Sequence, residues 1–109
     1  MLDSGNILKN EILVFLQSLK PELHSKGIKS LGLFGSIAKN TNNSSSDIDI
    51  VYETSDTFIN NYKGWSAFTY LNTHLRDKIA EKFNTKVDMF DLNSSSSIKD
   101  KVKKEAIYV

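Results

Sequence analysis

Cysteine is absent from the 109 residues of this chain, which excludes disulfide bridges, thiolate metal sites and a cysteine nucleophile. An excess of one charge is also missing, because 14 lysines and arginines stand against 13 aspartates and glutamates, for a formal net charge of +1. No global electrostatic attraction to nucleic acid or to an anionic membrane is therefore expected. Any polyanion has to be bound by a local arrangement of residues.

Long apolar runs are missing as well, and none approaches the ~20 residues that a membrane-spanning helix needs. The N-terminus lacks the basic stretch followed by an apolar stretch that marks a secretory signal. We therefore predict a cytoplasmic protein without a membrane partner. With 39% hydrophobic residues, the chain fits a single domain, residues 1–109, that can bury a core without covalent staples.

The apolar residues that are present switch between helical and strand-like spacing. The first helix is predicted over residues 5–19, with Pro21 ending it or opening a short second helix and Gly27 as the stop. Strands are predicted over 30–34, 47–53 and 85–92, and further helices from Ser36, over 65–83 and from a capping box at Ser97. This order favours an α/β or α+β domain, a small mixed β-sheet flanked by helices.

The predicted helix over residues 65–83 carries an apolar stripe that is expected to face the sheet. The stripe consists of Phe68, Leu71, Leu75, Ile79 and Phe83. Trp65 and Phe68 could also form a platform for stacking bases, but we assign both to packing. Tyr70 lies off the stripe and stays unassigned.

Two aspartates interrupt the strand-like sequence DIDIVYE, residues 47–53. Because side chains alternate across a strand, Asp47 and Asp49 share one face, and Ile48 and Ile50 share the other, which should pack on helices. The two Cα atoms lie about 7 Å apart, so the carboxylates raise each other's pKa unless a cation lies between them. Mg²⁺ favours carboxylates together with substrate phosphates. A solvated edge strand, protected by its aspartates from aggregation, explains the same pair, so the neighbouring sequence has to decide.

Gly35 and Ser36 follow a predicted strand and open a predicted short helix. Glycine lets a backbone approach a ligand closely, and free N–H groups together with a serine hydroxyl bind phosphate. Lys39 could pair with a phosphate as well. An ordinary turn with a serine cap and a solvated lysine is the alternative. A phosphate-binding turn, a polar loop and paired carboxylates in succession are a stronger signal than any of them alone.

The third predicted strand, with the sequence KVDMFD, offers one more carboxylate to this site. If the strand lies beside residues 47–53, Asp88 can reach Asp49 and orient or deprotonate an attacking hydroxyl. Asp91 is better assigned to a cap or loop. The candidate site therefore consists of Asp47, Asp49 and Asp88, with Gly35 and Ser36 at its mouth.

This pattern resembles the DNA polymerase β-like nucleotidyltransferase superfamily, and in particular its minimal nucleotidyltransferase (MNT) domains. The resemblance is carried by Gly35-Ser36, a spacer of ten residues, and Asp47-Ile48-Asp49 followed by apolar residues. It spans almost the whole chain, and Asp88 sits where the family carries its third carboxylate. Family members often have Arg-Gly where this chain has Lys39-Asn40. Lysine keeps the charge without the bidentate fork, and asparagine can adopt the left-handed conformation.

The resemblance implies a polymerase β palm-like nucleotidyltransferase fold and the transfer of a nucleotidyl group, often AMP from ATP, to a hydroxyl with Mg²⁺. Gly35, Ser36 and Lys39 would then bind the phosphates of the NTP. The three aspartates would hold the metals, and Asp88 would also position the acceptor. Such domains often pair with a HEPN-type protein in a toxin–antitoxin system. The chain would then be the MNT antitoxin that adenylylates its partner.

Two other functions stay open at this point. The chain could be a catalytically weak binding module that neutralises a HEPN-type partner by occlusion. It could also be a small-molecule nucleotidyltransferase of the antibiotic-modifying kind, which ranks lowest because those enzymes usually use an additional helical domain for the acceptor. The acceptor, the preferred NTP and a homo-oligomeric state are not determined by the sequence.

Overall fold

The computed structural model describes residues 4–42 and 46–109, and their side chains except those of 4–7 and 68. Its helices are α1 (Ser4–Ser25), α2 (Gly35–Ala38), α3 (Asp56–Asn61), α4 (Trp65–Leu71), α5 (Asp77–Phe83) and α6 (Lys99–Glu105), with a π-helical segment (Asn72–Arg76) between α4 and α5. Its strands are β1 (Ile28–Phe34), β2 (Ile48–Thr54), β3 (Val87–Asp91) and β4 (Ile107–Tyr108). Residues 43–45 of the predicted polar loop and the side chain of Phe68 lie outside the described part.

The strands form one mixed sheet in the order β3-β2-β1-β4. Strand β1 is antiparallel to both β2 and β4, whereas β2 and β3 are parallel. A parallel pair needs a long crossover, and α3, α4 and α5 supply it. The predicted small mixed sheet flanked by helices is confirmed. Strand β4 was not predicted, because two residues are too few to show the alternation of a strand.

The two faces of the sheet are covered unequally, and this difference positions the site. Ile48 and Ile50 are fully buried in the main core together with residues of α1 and α5, such as Leu16 and Ile79, as the alternation predicted. Each such side chain contributes roughly 1.5–3 kcal/mol. On the opposite face, Val51 is buried in a smaller cluster with Leu92 and Val102. On the aspartate face of β2, Val51 is thus covered, whereas Asp47 and Asp49 before it are only partly buried.

Helix α1 is longer than the sequence predicted. The expectation that Pro21 ends the helix was wrong, because the helix passes through Pro21 and continues to Ser25. Leu23 extends the apolar stripe by one turn and is 2% exposed, and we infer that this burial outweighs the hydrogen bond that proline removes. Gly27 is the predicted stop, with a φ of +105°. None of the described helices is long and apolar enough to cross a membrane.

The predicted helix over residues 65–83 is present, but its middle widens into the π-helical segment. Leu71, Leu75 and Ile79 of the predicted stripe are buried. Their spacing of four residues exceeds the 3.6 of an α-helical turn, so a regular helix would rotate the stripe by roughly 40° at each step. A wider π turn in the middle compensates for part of this rotation.

The aromatic residues at the start of this helix are arranged differently from the prediction. Trp65 was assigned to packing but is 81% exposed, whereas Tyr70 is only 7% exposed. Tyr70 packs against the rings of Phe58 and Tyr62, with centroids 5.8 and 4.7 Å away. Both rings come from α3 and the residue after it. The predicted capping box is also missing, because Ile98 precedes α6 and gives no side-chain cap.

Candidate active site

The predicted carboxylates lie at one end of the sheet, where β1 ends and the neighbouring strands β2 and β3 begin. Phe34, the last residue of β1, is paired with Asp49 of β2, and Asp49 is paired in turn with Asp88 of β3. Paired residues on neighbouring strands point to the same face. The register therefore places Asp88 beside Asp49, as the sequence predicted. Asp47 precedes Asp49 by two residues, at the same end of the sheet.

The Gly35 turn lies directly against the carboxylate of Asp49. Gly35 has a φ of +79°, and a Cβ atom at this position would collide with Oδ2 of Asp49 and lie 2.9 Å from its Cγ. The positive φ favours glycine, and any larger residue would have to push the carboxylate of Asp49 out of its position. The turn that follows β1 is thereby held against the first carboxylate of β2.

Helix α2 starts at Gly35, and a backbone hydrogen bond completes the turn at its C-terminal end. The carbonyl oxygen of Ser36 accepts a hydrogen bond from the N–H of Thr41 over 2.9 Å. Asn40 has a φ of +59°, the left-handed conformation expected for the position where family members often carry glycine. The departure from the family pattern therefore leaves the turn intact. Ser36 stays at the mouth of the site, one residue after Gly35.

The pKa of Asp49 is raised above its ordinary value, first by burial and then by the negative charges of Asp88 and Asp47. Burial disfavours the charged carboxylate, and two like charges nearby add to the effect. The three predicted residues therefore lie close enough to repel one another. A cation placed among them would reverse this repulsion.

One lysine that sequence analysis missed belongs to this cluster. The ammonium Nζ of Lys86 lies 3.9 Å from Oδ2 of Asp47 and 3.9 Å from Oδ1 of Asp88. Its carbonyl oxygen accepts a hydrogen bond from the N–H of Ile48 over 3.0 Å, which fixes the start of β3 against β2. The position of Lys86, two residues before Asp88 on a strand, could have indicated a shared face.

Lys39, predicted to contact phosphate, is engaged elsewhere in this structure. Its Nζ lies 3.0 Å from Oε2 of Glu105, at the end of α6. Lys39 also forms the C-cap of α2, so its backbone stays close to the Gly35 turn. A phosphate contact of Lys39 would require this ion pair to open.

A pocket of about 260 Å³ opens beside Asp88 on the edge of the sheet. Leu71, Val87 and Met89 give it an apolar side, and Asn72 and Arg76 give it a polar side. Tyr52 also lines it, and burial together with the charge of Asp91 raises the pKa of this phenol to about 12. The phenol is therefore neutral at physiological pH. Asp91 itself caps a turn, since its Oδ1 accepts a hydrogen bond from the N–H of Asn93 over 2.8 Å, as predicted.

The donor chemistry of the three aspartates fits a hard divalent cation such as Mg²⁺. Within residues 4–42 and 46–109, however, no group of three or more His, Cys, Asp or Glu side chains is arranged to hold a metal by itself. Mg²⁺ is usually bound by one or two carboxylates together with substrate phosphates and water, rather than by a protein cage. The residues therefore fit a magnesium ion whose coordination is completed by a nucleotide.

Comparison with solved structures supports the fold. A chain from the crystal structure of a toxin–antitoxin with AMP-PNP is 25% identical, with a TM-score of 0.58, over 92% of this chain and 70% of that one. A candidate nucleotidyltransferase from Sulfolobus solfataricus shares the fold at 19% identity, with a TM-score of 0.52, over 99% of this chain and 87% of that one. No curated protein sequence gives a significant match.

Comparison with protein families assigns the chain itself. The model of the family described as Polymerase beta, Nucleotidyltransferase matches residues 17–109. This range contains the Gly35 turn and all three aspartates, and it leaves out only the first part of α1. The resemblance found in the sequence is thus confirmed, and the chain belongs to the Polymerase beta nucleotidyltransferase family.

Proposed function

We propose that this chain, acting as a single domain, is a Mg²⁺-dependent nucleotidyltransferase that transfers AMP from ATP to a hydroxyl group of a partner protein. Membership of the family supports nucleotidyl transfer in general. The observation that carries the proposal is the alignment of the Gly35 turn, Asp49 and Asp88 at one open end of the sheet. The alternative of a solvated edge strand does not hold, because β2 lies between β1 and β3 in the sheet, and the Gly35 turn lies against a carboxylate whose pKa is raised.

Each residue of the site has a role in this reaction. The backbone at Gly35 and the hydroxyl of Ser36 bind the β- and γ-phosphates, and Lys39 joins them when it leaves Glu105. Asp47, Asp49 and Asp88 would supply carboxylate ligands to the metal, and the phosphates of the nucleotide would complete its coordination. When bound, Mg²⁺ neutralises charge on the triphosphate and polarises the α-phosphate. Asp88 orients the acceptor hydroxyl and takes its proton while the new oxygen–phosphorus bond forms and pyrophosphate leaves.

The pocket beside Asp88 supports an acceptor that is presented by another protein. Its volume of about 260 Å³ is below the 300–1,000 Å³ that is typical of pockets that enclose a drug-sized ligand. The pocket has room for one side chain, and Asp88 is among the residues that line it. The antibiotic-modifying alternative needs a larger acceptor site than the described residues form here.

The nature of the partner and of the nucleotide rests on the structural neighbour and the resemblance together. The neighbouring protein is a toxin–antitoxin, and AMP-PNP is an analogue of ATP. The resemblance to MNT domains points to a HEPN-type toxin as the partner. We therefore propose that this chain is the MNT antitoxin of such a pair, working in the cytoplasm.

The test is an incubation with α-³²P-labelled ATP, Mg²⁺ and a HEPN-type protein encoded beside this chain. We expect label on the partner, and none after chelation of the metal. Asp47→Asn, Asp49→Asn and Asp88→Asn should each abolish labelling. Asp56→Asn is the matched control, because this exposed aspartate lies at the start of α3, beyond the other end of β2. Labelling that survives in Asp49→Asn would refute the catalytic role.

The same variants separate catalysis from occlusion. If Asp49→Asn no longer transfers AMP and also no longer suppresses the toxicity of the partner in cells, the chemistry is the function. If it still binds and silences the partner as well as the unaltered chain does, the chain neutralises its partner by occlusion. Growth assays combined with a pull-down of the partner measure both properties.

A further inference from the structure

We infer that Lys86 exchanges partners during the reaction cycle. In the metal-free site its ammonium group takes the place of a cation between Asp47 and Asp88, and when metal and nucleotide bind it moves to the triphosphate. This inference rests on the proposed nucleotidyl transfer, because it assumes that a divalent cation and a triphosphate bind at these carboxylates. Lys86 is thus a positioning residue. Its charge offsets the carboxylates when the site is empty and attracts the triphosphate when metal and nucleotide are bound.

The geometry places the ammonium of Lys86 equally far from the two outer carboxylates. Both distances are 3.9 Å, longer than a direct hydrogen bond, so the charge is shared between Asp47 and Asp88 rather than given to one of them. Asp49 is a neighbour of both residues, since it is paired with Asp88 across the strands and follows Asp47 by two residues along the chain. The ammonium thus supplies positive charge to two of the three carboxylates, as a bound cation would.

The side chain of Lys86 can move while its backbone stays fixed. The hydrogen bond between its carbonyl oxygen and Ile48 N–H anchors Lys86 at the start of β3. Its side chain is 73% exposed, and the flexible four-carbon stem of lysine lets the ammonium move without disturbing the core. Ion pairs between groups this exposed are weak, so the ammonium can be displaced at little cost.

The charges explain why the lysine should change partners rather than simply leave. Three aspartates and one lysine give a site charge of −2, from −3 and +1. A free divalent cation is attracted by the carboxylates and repelled by the ammonium. A metal–triphosphate complex is itself negative, so it is repelled by the carboxylates and attracted by the ammonium. Removing the lysine charge should therefore affect the two ligands in opposite directions.

Lys39 is less suited to this role in the structure. Its ammonium is paired with Glu105 at 3.0 Å, a closer contact than either contact of Lys86. Among the ion pairs of the described residues, only those of Lys86 involve the candidate site carboxylates. The charge that senses whether a metal occupies the site is therefore that of Lys86.

The experiment compares two ligands in three variants by isothermal titration calorimetry at low salt. Lys86→Met removes the charge and keeps most of the stem, whereas Lys86→Arg keeps the charge. Lys63→Met is the control, because it makes the same change in net charge at an exposed lysine between α3 and α4, beyond the other end of β2. Mn²⁺ alone is the first ligand and Mg²⁺ with AMP-PNP is the second. Thermal unfolding confirms that each variant is folded.

We expect Lys86→Met to bind Mn²⁺ about three- to tenfold more tightly and Mg²⁺ with AMP-PNP about three- to tenfold more weakly, with both effects shrinking at high salt. Lys86→Arg and Lys63→Met should stay near the unaltered chain. Shifts in the same direction, no shift, or an equal shift in Lys63→Met would overturn the inference while leaving the proposed function standing. If the unaltered chain binds neither ligand, the proposed function and the inference both fail.

Discussion

A glycine with a positive φ lies at each end of strand β1, and each glycine lets the backbone approach a different kind of neighbour. Gly27 precedes the strand with a φ of +105°, and Gly35 follows it with a φ of +79°. A Cβ atom at Gly27 would lie 2.7 Å from both Cβ and N of Phe58, whereas one at Gly35 would meet the carboxylate of Asp49. At Gly27 the turn before β1 packs against Phe58, a residue of the apolar core. The close approach at Gly35 brings a backbone turn against a charged side chain.

What surrounds each glycine shows what each end of the sheet does. At Gly27 the carbonyl oxygen accepts a hydrogen bond from the N–H of Ser55 over 2.8 Å, and Ser55 in turn caps α3. The close approach to Phe58 and these hydrogen bonds are contacts that stabilise the fold. At Gly35 three carboxylates repel one another, and among the ion pairs of the described residues those of Lys86 compensate them. Such an arrangement lowers stability and is typical of a functional site.

The largest effect is expected for Gly35→Ala. The added methyl group displaces the carboxylate of Asp49, and a misplacement of about 1 Å in a catalytic group can cost 100-fold or more. We expect AMP transfer to fall about 100- to 1,000-fold, while the free energy of unfolding falls by only about 1–2 kcal/mol from the left-handed backbone. Labelled transfer at saturating ATP measures the first and urea unfolding the second. Transfer within threefold of the unaltered chain would contradict this view of the Gly35 turn.

Gly27→Ala should show the opposite balance. The methyl group would meet the backbone of Phe58, which cannot give way as the end of a side chain can, and the φ of +105° is unfavourable for alanine. We expect the free energy of unfolding to fall by about 2–4 kcal/mol. At a temperature where the variant is still folded, its turnover per folded molecule should be close to normal. A loss of transfer as large as that of Gly35→Ala would erase the distinction between the two ends.

The same comparison explains how much of the structure the sequence could predict. The carboxylate end was predicted because its parts are close together in the chain or follow strict alternation. One loop separates Gly35 from Asp49 along the chain. Asp88 lies on a predicted strand, and the remaining question was which strand lies beside it. The family match and the register agree with that prediction at the level of the fold.

The other end could not be predicted, because its structure depends on contacts between distant segments. Trp65 was assigned to the core from its position near an apolar stripe, but the rings of Phe58 and Tyr62 occupy that space and pack with Tyr70 instead. At the carboxylate end, the contact between Lys39 and Glu105 was missed for the same reason, whereas the place of Lys86 beside Asp88 follows from strand alternation and was overlooked. Lys39 meets Glu105 only because α6 returns to the start of the site.

The pH dependence of stability should differ between the unaltered chain and Asp49→Asn. The pKa of Asp49 is raised in the folded state above its ordinary value of 3.8, so the folded chain binds this proton more tightly than the unfolded chain does. The resulting stabilisation is present below pH 3.8 and is lost as the pH rises through the folded pKa. Without metal, Asp49→Asn should therefore melt about 2–5 °C higher at pH 7, with the difference disappearing near pH 4.

Two conditions sharpen this measurement. Asp56→Asn, at the opposite end of the sheet, should show no comparable gain, since the pKa of Asp49 and not a general excess of charge is responsible. Adding Mg²⁺ with AMP-PNP should stabilise the unaltered chain and reverse the order of the two melting temperatures. A lower melting temperature for Asp49→Asn at pH 7 without metal would show that the carboxylate is held by favourable contacts instead of strained by repulsion.

The smallest effect is expected at the ion pair between Lys39 and Glu105. Exposed pairs of this kind contribute roughly 0–1 kcal/mol, so Glu105→Gln should change the melting temperature very little. If Lys39 binds phosphate, however, Glu105 competes with the nucleotide for it. The KM for ATP should then fall about two- to threefold in Glu105→Gln and rise in Lys39→Met, with kcat unchanged in the first, because ~0.5 kcal/mol of competing attraction is removed. A KM that is unchanged in both variants would assign Lys39 to the attachment of α6 and leave the phosphates to the Gly35 turn and Lys86.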